Sequence, residues 1–353
     1  MARVAVRDDL KQLDGYHSPQ VSVRVRLNTN ESPTPPPVAW QHAVAAELSR
    51  LDWHRYPDRS ATSLRAALAD LHHVDPAQVF AGNGSNEVLQ TLLLTYAGPG
   101  RTVATFEPTY QLHGHIARLT GATVAEGGRR EDFTLDLAEV QRVCGSADPI
   151  ITFLCSPNNP TGLVEPETNL GAVQDAAPGL VVVDEAYAQF SDWSAIGLVD
   201  DDTPLVVTRT FSKTWSMAGA RLGYLIGPSW VVAELEKVTL PYHLDAAKQI
   251  AGRLALGFVD DMEARVGHIV AERERIQEAF GHLPVDFWRS GANFVLFRPR
   301  TVAGAHVWKA LLDYSVLVRD CSGWPRLENC LRVTVGTTEE NEVFLRALEE
   351  ILS

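Results

Sequence analysis

Apolar and polar positions change rhythm along this chain, and the rhythm divides it. Between about residues 61 and 256, short β-branched runs at 102–106, 150–154, 180–183, 205–208 and 222–226 are apolar at consecutive positions rather than at alternate ones. Between them the apolar residues recur at helical spacing, as in Leu64, Ala67, Leu68 and Leu71, or Val88, Leu89, Leu92 and Leu93. Strands apolar on both faces, alternating with helices, predict an α/β fold whose mostly parallel central sheet is covered by helices on both sides. After Asp245 the pattern predicts one long helical stretch to about Phe280, then strands at 293–297 and 331–335 and a terminal helix. Thr337 followed three residues later by Glu340 is a start signal for that last helix.

The first forty residues differ. They hold a short amphipathic start, the polar segment Leu27-Asn28-Thr29-Asn30-Glu31-Ser32-Pro33, and Pro35-Pro36-Pro37, which together read as an arm ended by a stiff extended linker. The expected organisation is an arm and linker at 1–37, a large α/β domain at 61–256, and a smaller α+β domain assembled from 38–60 and 257–353. A chain of 353 residues is long enough for two such cores.

Composition narrows the function. A formal charge of −13 argues against nucleic-acid or anionic-membrane partners, which need clustered Lys and Arg. No apolar run approaches the roughly 18 residues of a membrane span, and the start of the chain has no apolar core of a signal segment, so a cytoplasmic location is expected. Cys144, Cys155, Cys321 and Cys330 form no C-x-x-C pair and are expected to be reduced, buried thiols. His72-His73 and His113-Gly114-His115 lack partners at metal spacing and read as solvated or helix-end histidines; no metal site is expected. Asp200-Asp201-Asp202 reads as a solvated loop.

Four segments carry chemistry. Gly82-Asn83-Gly84-Ser85-Asn86-Glu87 precedes an apolar helix, with Ser85 as the expected cap and the N–H groups of the first turn available to an anion. Ser156-Pro157-Asn158-Asn159-Pro160-Thr161-Gly162 follows a strand and places Asn159 at the carboxyl edge of the sheet, where ligands of open α/β folds collect. Asp184 ends the buried strand of Val181-Val182-Val183-Asp184-Glu185-Ala186-Tyr187, where a carboxylate costs several kcal/mol unless a cation pairs with it. The run from Thr210 to Arg221 holds Ser212 and Lys213, a combination suited to a lysine that forms a Schiff base beside a phosphate.

In this order the four blocks closely resemble the fold-type I aminotransferases that use pyridoxal 5′-phosphate. The resemblance implies that Lys213 carries the cofactor and moves the substrate's α-proton, that Asp184 keeps the pyridine nitrogen protonated, and that Asn159 and Tyr187 hydrogen-bond the cofactor's phenolate oxygen. It also implies that Ser85, Asn86, Thr210, Ser212 and Arg221 hold the phosphate and that Tyr110 stacks on the ring.

Leu27 to Pro33, Arg55-Tyr56-Pro57-Asp58 and the Gly82 block look like the histidinol-phosphate aminotransferase branch. That branch implies a homodimer with shared active sites, Tyr56 reaching the neighbouring subunit's phosphate, and Tyr16, Asn30, Arg319 and Arg332 around the substrate. The implied reaction converts L-histidinol phosphate and 2-oxoglutarate to imidazole acetol phosphate and L-glutamate. An aromatic amino-acid aminotransferase, a threonine-phosphate decarboxylase and a non-catalytic cofactor-binding regulator are the alternatives. Ser32, Asn86 and Thr214-Trp215 depart from the branch's usual residues, and the last pair is one that could reshape the pocket wall.

Overall fold

The computed structural model describes residues 4–11 and 21–353. Among these residues twelve strands fall into two sheets. In chain order they are β1 Val25–Leu27, β2 Val79–Gly82, β3 Thr102–Glu107, β4 Thr123–Gly128, β5 Ile151–Cys155, β6 Leu180–Asp184, β7 Leu205–Thr210, β8 Gly223–Ile226, β9 Val285–Phe287, β10 Phe294–Pro299, β11 Val316–Asp320 and β12 Leu331–Thr334.

The larger sheet has the order β2-β8-β7-β6-β5-β3-β4, and all its strands run the same way except β8, which is antiparallel to both its neighbours. Strands β5, β6 and β7 are buried at every position. Along β6, Val181 and Val183 enter one core layer while Leu180 and Val182 enter the other, as the twofold period of a strand requires. Each fully buried valine or leucine contributes roughly 1.5–3 kcal/mol, so this strand can carry a costly carboxylate at its end. Because six strands share one direction, β2, β3, β5, β6 and β7 deliver their carboxyl ends to one edge.

The smaller sheet has the order β1-β11-β12-β10-β9. Strand β1 comes from the N-terminal segment and pairs in parallel with β11, so residues 25–27 of the expected arm form an edge strand of this sheet. The helix Val38–Leu48, expected in the smaller part, instead packs Trp40 and Val44 on the core of the larger one, and Trp40 Nε1 donates to Ala251 O at 3.1 Å. The long helix expected after Asp245 is two helices, Ala246–Ala255 and Val259–Phe280, broken around Gly257. The terminal helix Thr338–Leu352 begins with the expected box: Thr337 accepts from Glu340 N–H and Glu340 accepts from Thr337 N–H.

Candidate active site

The shared edge of the larger sheet opens into a cavity of about 590 Å³ that also meets the face of the smaller sheet. Ser85, Asn86, Tyr110, Asn159, Asp184, Tyr187, Thr210, Ser212, Lys213, Arg221, Asn30, Arg319 and Arg332 all line it. Residues more than 200 positions apart in sequence thus share one cavity. Tyr16 lies outside the described residues. Tyr56 is 80% exposed, stacks on Tyr242 with ring centres 4.5 Å apart, and does not line this cavity.

One end of the cavity is built for an anion. The helix Ser85–Tyr96 starts there, and the N–H groups of Ser85 and Asn86 at its start have no backbone acceptor among the described residues, whereas those of Glu87 and Val88 bond to Gly84 O. Its N-cap is Gly84 rather than the expected Ser85, and no side chain caps it. Glycine is required at that position: φ is +81°, and a Cβ would lie 2.7 Å from Arg221 Nη2. A Cβ on Gly223 of β8 would press still more closely on Ser85 N. Arg221 Nη1 donates to Ser212 Oγ at 3.2 Å, and Thr210 Oγ1 donates to the same oxygen at 3.0 Å, so a guanidinium and two hydroxyls face the helix end.

At the end of β6, Asp184 is 2% exposed. Its Oδ1 accepts from Ala186 N–H at 3.1 Å and its Oδ2 is 2.9 Å from His113 Nε2. His113 is completely buried, with its ring stacked on Phe153 at 4.4 Å and edge-on to Tyr110. The reading of His113 as a solvated or helix-end histidine is therefore corrected: it is the partner of the buried carboxylate. The available signal was its place on the apolar face of the helix Leu112–Leu119, beside Ile116 and Ala117. Tyr110 O–H donates to Asn86 Oδ1 at 3.2 Å, so Asn86 orients this ring through its side chain.

Lys213 Nζ donates to Thr29 O at 3.1 Å and lies 5.6 Å from the Tyr187 ring centre. Burial of the amine, the charge of Arg332 and that of Arg221 push its pKa down to about 7, against the opposing pull of Glu31. Burial pushes Tyr187 up to about 12, so its hydroxyl keeps its proton at neutral pH. Asn30 Nδ2 donates to that hydroxyl at 3.0 Å, while Asn30 Oδ1 accepts from Thr334 Oγ1 at 3.1 Å. The side chain of Asn30 is thus committed to holding Tyr187. Ser32, one of the departures, exchanges a 2.7 Å hydrogen bond with Ser216 and ties the N-terminal segment to the lysine loop. Thr214 and Trp215 do not themselves line the cavity. Both are buried away from the cavity, and Trp215 packs on Phe211 in the larger core.

Opposite the lysine, Arg319 of β11 and Arg332 of β12 are direct cross-strand partners. Arg332 Nη1 donates to Asn159 Oδ1 at 2.5 Å and Nη2 to Asn28 O at 3.1 Å, while its buried Nε has no partner. Its guanidinium lies over Phe294, and both arginines lie over the ring of Trp324, a residue that sequence reasoning missed.

Among the described residues no group of three metal-ligating side chains occurs, and no helix is long and apolar enough to cross a membrane.

A lysine with a depressed pKa, a buried carboxylate, an anion cradle and an arginine pair in one cavity agree with the similarity of the whole chain to known proteins. Residues 23–348 match the family "Aminotransferase class I and II". A histidinol-phosphate aminotransferase of Mycobacterium avium (strain 104) is 42% identical, the match covering 98% of this chain and 88% of the relative. One from Streptomyces avermitilis is 44% identical over 98% and 96%. The crystal structure of histidinol-phosphate aminotransferase from Sinorhizobium meliloti in complex with pyridoxal-5′-phosphate superposes with a TM-score of 0.90 at 22% identity, covering 99% of this chain and 98% of that one. That of an L-threonine-O-3-phosphate decarboxylase from Porphyromonas gingivalis reaches 0.80 at 22% identity, a likeness of fold. On sequence, fold and the residues gathered at the sheet edge, the chain belongs to the class I and II aminotransferases and, within them, to the histidinol-phosphate aminotransferase group.

Proposed function

We propose that this protein transfers the amino group of L-histidinol phosphate to 2-oxoglutarate, giving imidazole acetol phosphate and L-glutamate, with pyridoxal 5′-phosphate as cofactor. The residues fit that cofactor: a Cβ at position 84 would fill the anion cradle, and the buried carboxylate of Asp184 lines the same cavity as Lys213. When bound, pyridoxal 5′-phosphate supplies a protonated ring that accepts the electron pair left at the substrate's α-carbon.

The chain's own groups do the rest. Asp184, oriented by His113 and the Ala186 N–H, would hold the proton on the cofactor's ring nitrogen. Asn159 gives its Oδ1 to Arg332 and keeps its amide nitrogen for the cavity, while Tyr187 O–H is a second donor beside it. Lys213, with a pKa of about 7, is substantially neutral at physiological pH, which suits both its covalent bond to the cofactor and its service as the base that takes the α-proton at Nζ. Ser85, Asn86, Thr210, Ser212 and Arg221, which line one end of the cavity, would receive the cofactor phosphate.

The observation that carries the choice of substrate is the cross-strand pair Arg319 and Arg332 with the orphaned Nε of Arg332. Like charges placed directly opposite are unfavourable until an anion joins them, and two forks match a dianionic phosphate or, in the second half of the reaction, a carboxylate of glutamate.

The exposed Tyr56, Trp53 and Leu240 support a homodimer in which Tyr56 serves the partner's phosphate site. Four buried free thiols fit a reducing, cytoplasmic setting.

Rapid-mixing spectroscopy of the half-reactions with histidinol phosphate, phenylalanine and glutamate offered separately tests the reading. Fast amino transfer from histidinol phosphate and glutamate is expected; equal or faster reaction with phenylalanine would move the assignment to the aromatic enzymes.

A further inference from the structure

Two guanidinium groups held side by side repel each other, so something must fix them in that arrangement before substrate arrives. Trp324 occupies that place. Its ring lies 5.5 Å from Arg319 Cζ and 6.0 Å from Arg332 Cζ, and it lines the cavity. A tryptophan face attracts cations through its quadrupole and does so without neutralising them, unlike a carboxylate. Arg332 forms no ion pair among the described residues, so its charge remains available to an incoming anion.

The ring is itself held. It sits on the connection between β11 and β12, whose base is closed by Cys321 N–H donating to Cys330 O at 3.0 Å. Within the connection, Trp324 N–H donates to Cys321 O and Leu327 N–H donates to Trp324 O. The indole packs against the small cluster of Phe133, Leu296, Cys321, Leu327 and Cys330. Two residues further on, Arg326 Nη1 donates to Arg129 O, next to β4 of the larger sheet. Arg129 is in turn buried in an ion pair with Glu165. The connection is thus tied to both sheets, which fixes the backbone that carries the indole, and the packing of the ring on that cluster holds it near the arginines.

We propose that Trp324 is a positioning residue that holds Arg319 and Arg332 together as one dianion site and thereby sets the preference for a phosphorylated amino donor. This inference rests on the function proposed above. The ring acts through the two arginines, so its loss falls on the affinity for a dianion rather than on the chemistry at Lys213.

The test uses the holoenzyme with Trp324→Ala and Trp324→Phe, assayed with L-histidinol phosphate and with unphosphorylated histidinol. Inorganic phosphate is titrated separately by calorimetry. Two partly desolvated cation–π contacts predict that Trp324→Ala raises KM for histidinol phosphate by about tenfold or more and weakens inorganic phosphate similarly, with kcat within about twofold and histidinol little changed. Trp324→Phe, which keeps an aromatic face, is expected to recover most of the loss. Equal losses on both donors, or a collapse of kcat with KM unchanged, would overturn the role given to Trp324. Failure of the proposed function looks different: wild-type enzyme would itself show no preference for the phosphorylated donor and no binding of phosphate.

Discussion

His113 Nε2 lies 2.9 Å from Asp184 Oδ2, and the two side chains are 0% and 3% exposed. Among the described residues, a carboxylate this deep at the end of an all-apolar strand is oriented by this ring and one backbone N–H, which ties the electronic role of Asp184 to a residue on a different element.

Replacing His113 with alanine is therefore expected to slow the glutamate half-reaction by roughly tenfold or more, the value of a hydrogen bond to a charged group. Asp184→Asn should be slower still, because a neutral amide cannot hold the ring nitrogen charged. Stopped-flow rates decide it; a wild-type rate in His113→Ala would leave Asp184 oriented by Ala186 N–H alone.

Lys213 links the site to pH. Its amine falls from the ordinary 10.5 to about 7 in the folded chain, chiefly through burial. Between those two values the unfolded chain keeps a proton that the folded one has lost, so the unfolding free energy rises with pH across that window, whereas below about 7 both states are protonated and the cost of burying the charge is fully present. In cofactor-free protein the denaturation midpoint of wild type relative to Lys213→Met should climb from about pH 7 upward. A difference that is flat with pH would contradict the depressed pKa. The same substitution should abolish turnover and the borohydride-fixed attachment of cofactor at this position.

Arg332→Ala should cost on the order of a hundredfold in kcat/KM for histidinol phosphate, since a charge-assisted bidentate contact is worth roughly 1.5–3 kcal/mol. The loss with histidinol should be much smaller, because that donor brings no phosphate. Equal effects on both donors would argue for the aromatic alternative.

Tyr56 is predicted to act across the dimer. Mixing Tyr56→Phe subunits with Lys213→Ala subunits should restore activity, because each hybrid dimer then holds one site with both lesions and one with neither. Proven subunit exchange without recovery would contradict a shared site.

Much of the larger body is legible in the sequence because strands buried on both faces leave continuous apolar runs, as at 180–183 and 205–208. Short or weakly apolar strands are not. β4, Thr123–Gly128, carries two glycines and is only partly buried, and β1 is three residues long and draws its stability from pairing with a strand nearly 300 positions away. The break around Gly257 was hidden because helical spacing resumes at once on either side.

The sequence by itself determined the chemistry that must sit at strand ends: Lys213, Asp184, Asn159 and the glycine turn before Ser85 are recognisable because each follows an apolar run with a residue that such a place would not otherwise tolerate. What only the tertiary structure decided are the partners drawn from elsewhere. His113 meets Asp184, Thr29 meets Lys213, Asn30 meets Tyr187 and Trp324 meets both arginines through contacts that no local periodicity encodes. A local pattern reports what a residue does to its own helix or strand. Which distant group satisfies a buried charge is fixed only when the two sheets pack and water is excluded between them.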